Sequence, residues 1–217
     1  MNASSSHLDT QLRQALALHQ AGRLAEAEAS YRQVLALRPD LAEIQDNCAL
    51  AQLGQGKGAE AEASLRRAIA AKPGFAQAHC HLGDALSSQG RFGDAVRSYR
   101  RALQLKSDFV EACNNLGNAL LMLGEMEQAA DAYRRAVTLR PDFARAHNNL
   151  GNVHLQAHRF EDARAAFARA VAIAPDYAQA HNNLGNALHQ LGRLEEAQGA
   201  LRACPPSGPM RQKRGFS

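Results

Sequence analysis

The stretch that decides the fold is His147-Asn148-Asn149-Leu150-Gly151-Asn152, because the same six residues return as His181-Asn182-Asn183-Leu184-Gly185-Asn186, 34 positions later. Near-copies precede it in the same register: Cys113-Asn114-Asn115-Leu116-Gly117-Asn118, and before that Cys80-His81-Leu82-Gly83-Asp84. A fixed period of this size marks an array of supersecondary units, each of which must stack on a neighbour to bury its apolar side.

Three further columns carry the same period outward. Ala27, Ala61, Ala95, Ala129, Ala163 and Ala197 form one. Gly22, Gly56, Gly90, Gly124 and Gly192 form the second, with His158 in the remaining place. The third is Pro39, Pro73, Ser107, Pro141 and Pro175, a serine standing where one proline is due. Together they divide the chain into six units: 8–41, 42–75, 76–109, 110–143, 144–177 and 178–204. A short N-terminal stretch, 1–7, and a basic tail, 205–217, flank the array, and both are expected to be disordered.

Each unit reads as two amphipathic helices. In the fifth, Ala144, His147, Leu150, Gly151 and His154 fall on one stripe of a 3.6-residue helix, helix A. Asp142 stands before it as the expected N-cap, and Asp40 with Glu43 and Asp108 with Glu111 have the spacing of capping boxes. The column glycine closes helix A. Helix B carries Phe160, Ala163, Phe167, Ala170 and Val171 on its apolar face, starts acidic and ends basic, and stops at the proline. Gly83, Gly117, Gly151 and Gly185 lie mid-helix, where glycine costs about 1 kcal/mol against alanine. That cost is offset if the missing side chain lets helix A close onto the alanine column of helix B.

Composition narrows the class. Of 217 residues 46% are hydrophobic but only 5% aromatic, with no Trp, which suits closely packed helices. A net charge of +4 is too mild to argue for a nucleic-acid partner. No signal peptide is apparent and the longest apolar run, 119–123, is far below a membrane span, so a soluble cytoplasmic protein with no membrane partner is expected. Cys48, Cys80, Cys113 and Cys204 show no C-x-x-C spacing and read as reduced, buried thiols. The late helix-B arginines (Arg32, Arg66 with Arg67, Arg100 with Arg101, Arg134 with Arg135, Arg169 and Arg202) lie near the acidic starts of other helices and read as a solvated face that complements the helix dipoles rather than a phosphate-binding ridge. His154 and His158 have a metal-ligand spacing without a third ligand, so no metal, no cofactor and no catalytic residue is assigned.

On Leu150-Gly151, Gly192, Ala163, Phe167, Ala170 and Pro175 the units resemble tetratricopeptide repeats over about residues 8–204. The first two units depart, with Gln14-Ala15 and Cys48-Ala49 in place of Leu-Gly, as an N-terminal cap would. The resemblance implies an all-α fold, a right-handed α-solenoid of about six helix-turn-helix repeats. It also implies that the sixth position of helix A (Asn47, Asn115, Asn149 and Asn183, with Arg13 and His81 interrupting) looks into a concave groove, and that the rings of His79, His147 and His181 pack against neighbouring helices. Asn114, Asn148 and Asn182 precede that column, and Asn118, Asn152 and Asn186 follow one turn on.

Three Asn and one Gly in five residues cost helix A on the order of 2–3 kcal/mol relative to alanine, so the amides need a compensating role. They either pair with the backbone of an extended protein or peptide segment or link neighbouring helices. The first makes the chain a non-catalytic interaction scaffold. The Asn-Leu-Gly-Asn motif is also similar to the repeat region of O-linked N-acetylglucosamine transferases, which implies a substrate-recognition region cut from a longer glycosyltransferase. Pro205-Pro206 ends the last helix B early and leaves an uncapped repeat, so that either the natural protein continues further or the array self-associates there.

Overall fold

The computed structural model describes residues 3–203, with side chains from Leu8 onward. The expected basic tail, 205–217, and Cys204 lie outside the described residues. Twelve helices occupy the described residues, with no strand. They are α1 (Ala3–Gln20), α2 (Leu24–Leu37), α3 (Ala42–Leu53), α4 (Gly58–Ala71), α5 (Ala76–Ser88) and α6 (Phe92–Leu105). There follow α7 (Val110–Met122), α8 (Met126–Leu139), α9 (Ala144–Gln156), α10 (Phe160–Ile173), α11 (Ala178–Gln190) and α12 (Leu194–Arg202). The odd-numbered helices are helix A of their repeats and the even-numbered are helix B. The helix begins at Ala3, inside the stretch expected to be disordered; three serines lower helix propensity only modestly and do not stop propagation from the apolar turns that follow.

The chain divides into two compact units, Met1–Glu125 and Met126–Ser217, the division falling in the turn between α7 and α8. Within each unit hairpins stack in series, α1 to α7 in the first and α8 to α12 in the second, as in an α-solenoid.

The glycine column closes helix A through backbone geometry. Gly22, Gly56, Gly90, Gly124 and Gly192 have φ of 73 to 78°, a left-handed conformation that costs glycine nothing. The next N–H then reaches back, as Arg91 does to the Leu86 carbonyl at 2.9 Å. His158 keeps the same conformation at φ 56° with Arg159 N–H on the His154 carbonyl at 2.8 Å, so the turn is imposed without the residue that favours it. Helix B ends on an extended residue, Arg38, Lys72 or Ala174, as a following proline requires. Lys106, which precedes Ser107, adopts the same form at φ −139°.

The expected acidic caps are not formed. Leu41, Phe109 and Phe143 hold the cap positions of α3, α7 and α9 without a side-chain cap bond, because each aspartate stands one residue too early. Asp40 pairs instead with Arg38 at 2.9 Å and Glu43 with Lys72 at 2.6 Å. The aromatic cap residues serve another contact: Lys72 lies 4.9 Å from the Phe75 ring, Lys106 5.2 Å from Phe109, and Arg140 5.3 Å from Phe143.

The alanine column is buried throughout, but the atoms nearest Gly83 and Gly151 belong to aromatic rings. A Cβ on Gly83 would lie 2.4 Å from the Tyr99 ring, and one on Gly151 2.6 Å from Phe167. Each ring sits one turn beyond the column alanine of helix B, so glycine makes room for an aromatic residue. At Gly185 the neighbour is Leu201, at 2.9 Å. Helix A is also buried more widely than one stripe. In α9, Ala146, Asn148 and Val153 are buried alongside Leu150, Gly151 and His154, since the helix packs on its own partner and on adjacent hairpins. Cys48, Cys80 and Cys113 are free and buried.

Candidate functional site

At His81, Asn115 and Asn183, position six of helix A reaches back to the preceding helix A. In the second unit Asn183 donates Nδ2 to Asn148 Oδ1 at 2.9 Å and to Asn152 Oδ1 at 3.1 Å. In the first, Asn115 donates to Asp84 Oδ1 at 2.9 Å, and His81 Nδ1 meets Asp46 Oδ1 at 2.8 Å. Counted within their repeats, the acceptors are always position five (Asp46, Asn148) or position nine (Asp84, Asn152). The repeat period therefore builds a side-chain ladder between successive first helices, and Asp46, His81 and Asp84 belong to it although they are not asparagines. The visible signal was Cys80-His81-Leu82-Gly83-Asp84, where the third repeat breaks the amide pattern.

The ten asparagines separate by burial. Asn114 and Asn148 are 1% exposed, which removes both from any docking face; Asn148 meets Asn183 of the next hairpin. Asn114 donates to Asn115 Oδ1 at 3.2 Å. Asn118, Asn182 and Asn186 are exposed, while Asn47, Asn115, Asn149, Asn152 and Asn183 are half-buried.

The charged part of the ladder has perturbed protonation. Burial pushes the Asp84 carboxyl above the usual aspartate range, outweighing the Tyr99 hydroxyl, His81 and Asn115, which act to lower it. Burial works to lower His81, but the bond to Asp46 and the Asp46 and Asp84 carboxylates raise it overall.

The histidines of position four have a polar task that their pattern did not reveal. His79, His147 and His181 each place Nε2 3.0 Å from the carbonyl of Pro73, Pro141 and Pro175, holding the turn that leads into their helix. Gln45 does the same to Pro39 at 3.3 Å. The fourth repeat has Ser107 and Cys113 at these two places.

Three of the late helix-B arginines pair within their own helix. Arg32 meets Glu28 and Arg66 meets Glu62, each four residues back at 2.8 Å, and Arg134 meets Asp131. Arg91 adds Glu62 at 2.8 Å and Asp94 at 2.7 Å, so the arginine-lined hollow of the first unit contains its own carboxylates. Among the described residues no group of three His, Cys, Asp or Glu could hold a metal ion, and no helix is long and apolar enough to cross a membrane.

A family model described as "Tetratricopeptide repeat" matches residues 49–108, 81–144, 114–178 and 148–209, and one described as "TPR repeat" matches 15–56. No curated protein sequence matches the chain. Among solved structures, that of MamA is 25% identical, with a TM-score of 0.66 over 71% of this chain and 91% of that one. PilF of Pseudomonas aeruginosa is 17% identical, with a TM-score of 0.79 over 93% and 90%. YrrB, described as a TPR protein with an unusual peptide-binding site, is 21% identical, with a TM-score of 0.65 over 82% and 96%. The last two share the fold.

Proposed function

The chain belongs to the tetratricopeptide repeat family, and on that premise we propose that it is an interaction scaffold that holds an extended polypeptide segment against the amide-bearing face of its first helices. The observation that carries this reading is the division among the asparagines. Asn148, Asn152 and Asn183 bond to one another within the second unit, whereas Asn182 and Asn186 present their amides to solvent. Each such amide offers one acceptor and two donors, the complement of a peptide group, so the contacts depend little on the bound side chains. The solved structure of YrrB, with its stated peptide-binding site, shares the fold that presents this face.

The test uses extended peptides of scrambled sequence, with and without methylated backbone nitrogens, over the immobilised protein. Capture should survive scrambling and disappear on methylation, which removes the N–H donors. Capture that follows sequence and tolerates methylation contradicts backbone recognition.

The Asn-Leu-Gly-Asn repeats also support a second reading, in which the array selects substrates for a longer glycosyltransferase. A sugar-transfer domain in the same open reading frame decides for it. Leu194 and Leu201, exposed at 55% and 49% on α12, support self-association at that end, which concentration-dependent light scattering checks.

A further inference from the structure

We propose that a pocket at Asp84 in the first unit takes a basic side chain, arginine or lysine, of the segment held on the first-helix face; the inference rests on that reading and adds the chemistry of the partner. The pocket, of about 240 Å³, lies between α5, α6 and α7. Asp84, Ser87, Asn115 and Asn118 supply its polar lining, and Phe92 and Met122 its apolar lining. Asp84 is the only charged residue among those that line it.

The carboxylate is held by one oxygen. Tyr99 Oη donates to Asp84 Oδ1 at 2.7 Å and Asn115 Nδ2 donates to the same atom at 2.9 Å. Among the described residues none is seen to donate to Oδ2. The neighbouring imidazole, His81, is bonded instead to Asp46 at 2.8 Å. A carboxylate largely withdrawn from water gains most from a cation that arrives with its own hydrogen-bond donors. An arginine or lysine stem would lie against Phe92 and Met122 while its head meets Oδ2, with the Ser87 hydroxyl as a further acceptor. The equivalent positions in the next three repeats are Asn118, Asn152 and Asn186, so the negative charge marks one place along an otherwise neutral column. That charge would set the register of the bound segment, which amide contacts to its backbone leave free.

The experiment is a titration of the full isotope-labelled chain with N-acetyl-arginine methylamide, followed by amide chemical shifts. Its controls are the citrulline analogue, which keeps the shape of arginine without the charge, and the variant Asp84→Asn. Asparagine is what the array itself carries at this position, and its carbonyl still accepts from Tyr99 and Asn115, so the spectrum should retain its dispersion. Saturable shifts are expected at Ser87, Tyr99, Asn115 and Asn118, about tenfold weaker with citrulline and about tenfold weaker in the variant. Equal response to citrulline, an unchanged response in Asp84→Asn, or no shift at these residues overturns the proposal. Failure of the backbone-recognition reading appears separately, in the methylated-peptide capture, and leaves these shifts in place.

Discussion

Asn183 in the second unit and His81 in the first hold the same place in their repeats, and each reaches back 35 residues, to Asn148 at 2.9 Å and to Asp46 at 2.8 Å. The geometry is shared and the chemistry is not: two neutral amides make one bridge, an imidazole and a carboxylate the other. The repeat period fixes where donor and acceptor meet, so residue type can change provided the pair stays complementary. The consequence is electrostatic. The first unit carries buried charge between its hairpins, and the second joins its first helices through amides that do not titrate.

The largest expected effect of that difference lies at Glu28, which is 3% exposed. Its carboxylate accepts from Gln52 at 3.1 Å, Gln55 at 2.9 Å and Lys57 at 2.7 Å, and pairs with Arg32 at 2.8 Å. Burial alone would raise its pKa, but the bonds from Lys57, Gln52 and Gln55, together with Arg32, lower it from 4.5 to about 2. A depressed carboxylate stabilises the fold fully above its unfolded value and loses that contribution as pH falls through the folded value. The network should therefore contribute on the order of 3 kcal/mol at neutral pH, declining between about pH 4.5 and 2. Hydrogen exchange followed helix by helix checks this: protection of α2 and α3 should fall over that window, and Glu28→Gln should flatten the dependence.

The glycine seam separates ring-facing repeats from the last one. Gly83→Leu and Gly151→Leu force a side chain into Tyr99 or Phe167 and should each cost about 1–3 kcal/mol. Gly185→Leu meets first Leu201, a flexible side chain 49% exposed, with the Ala197 carbonyl at ordinary contact distance, and should cost less. Thermal melts of the three variants test the order; equal losses would show that the rings do not set the seam.

His158 supplies the smallest effect. Its left-handed backbone is adopted by glycine at the other five turns, so His158→Gly should stabilise the second unit by about 1 kcal/mol or less. Its ring packs edge-on to Phe160 at 5.7 Å, a contact that the substitution removes. Denaturant unfolding of the variant measures the balance, and a clear loss of stability would mean that the ring contact outweighs the backbone relief.

The fold was legible because a repeat writes its own alignment: alanine, glycine and proline recur where backbones approach, turn or stop. What stayed hidden depends on a second helix. The aspartate caps were misplaced by one residue, since Phe143 and not Asp142 holds the cap of α9. The ring opposite Gly151 lies one turn beyond Ala163 and follows from packing rather than period. The histidine bonds to proline carbonyls span six residues across a turn, a relation that helical spacing does not display. Asn148 reads as the equal of Asn149 along one helix, and only the next hairpin decides that it is buried.

The central claim is that some asparagines build the array while others bind. It is tested most directly by measuring stability and capture of the scrambled extended peptides together in two variants, Asn182/Asn186→Ala and Asn115/Asn183→Ala. The first should lose capture and keep its melting temperature, because its amides are exposed; the second should lose stability, because its amides bridge helices. A first variant that melts early and still captures peptide would contradict the account.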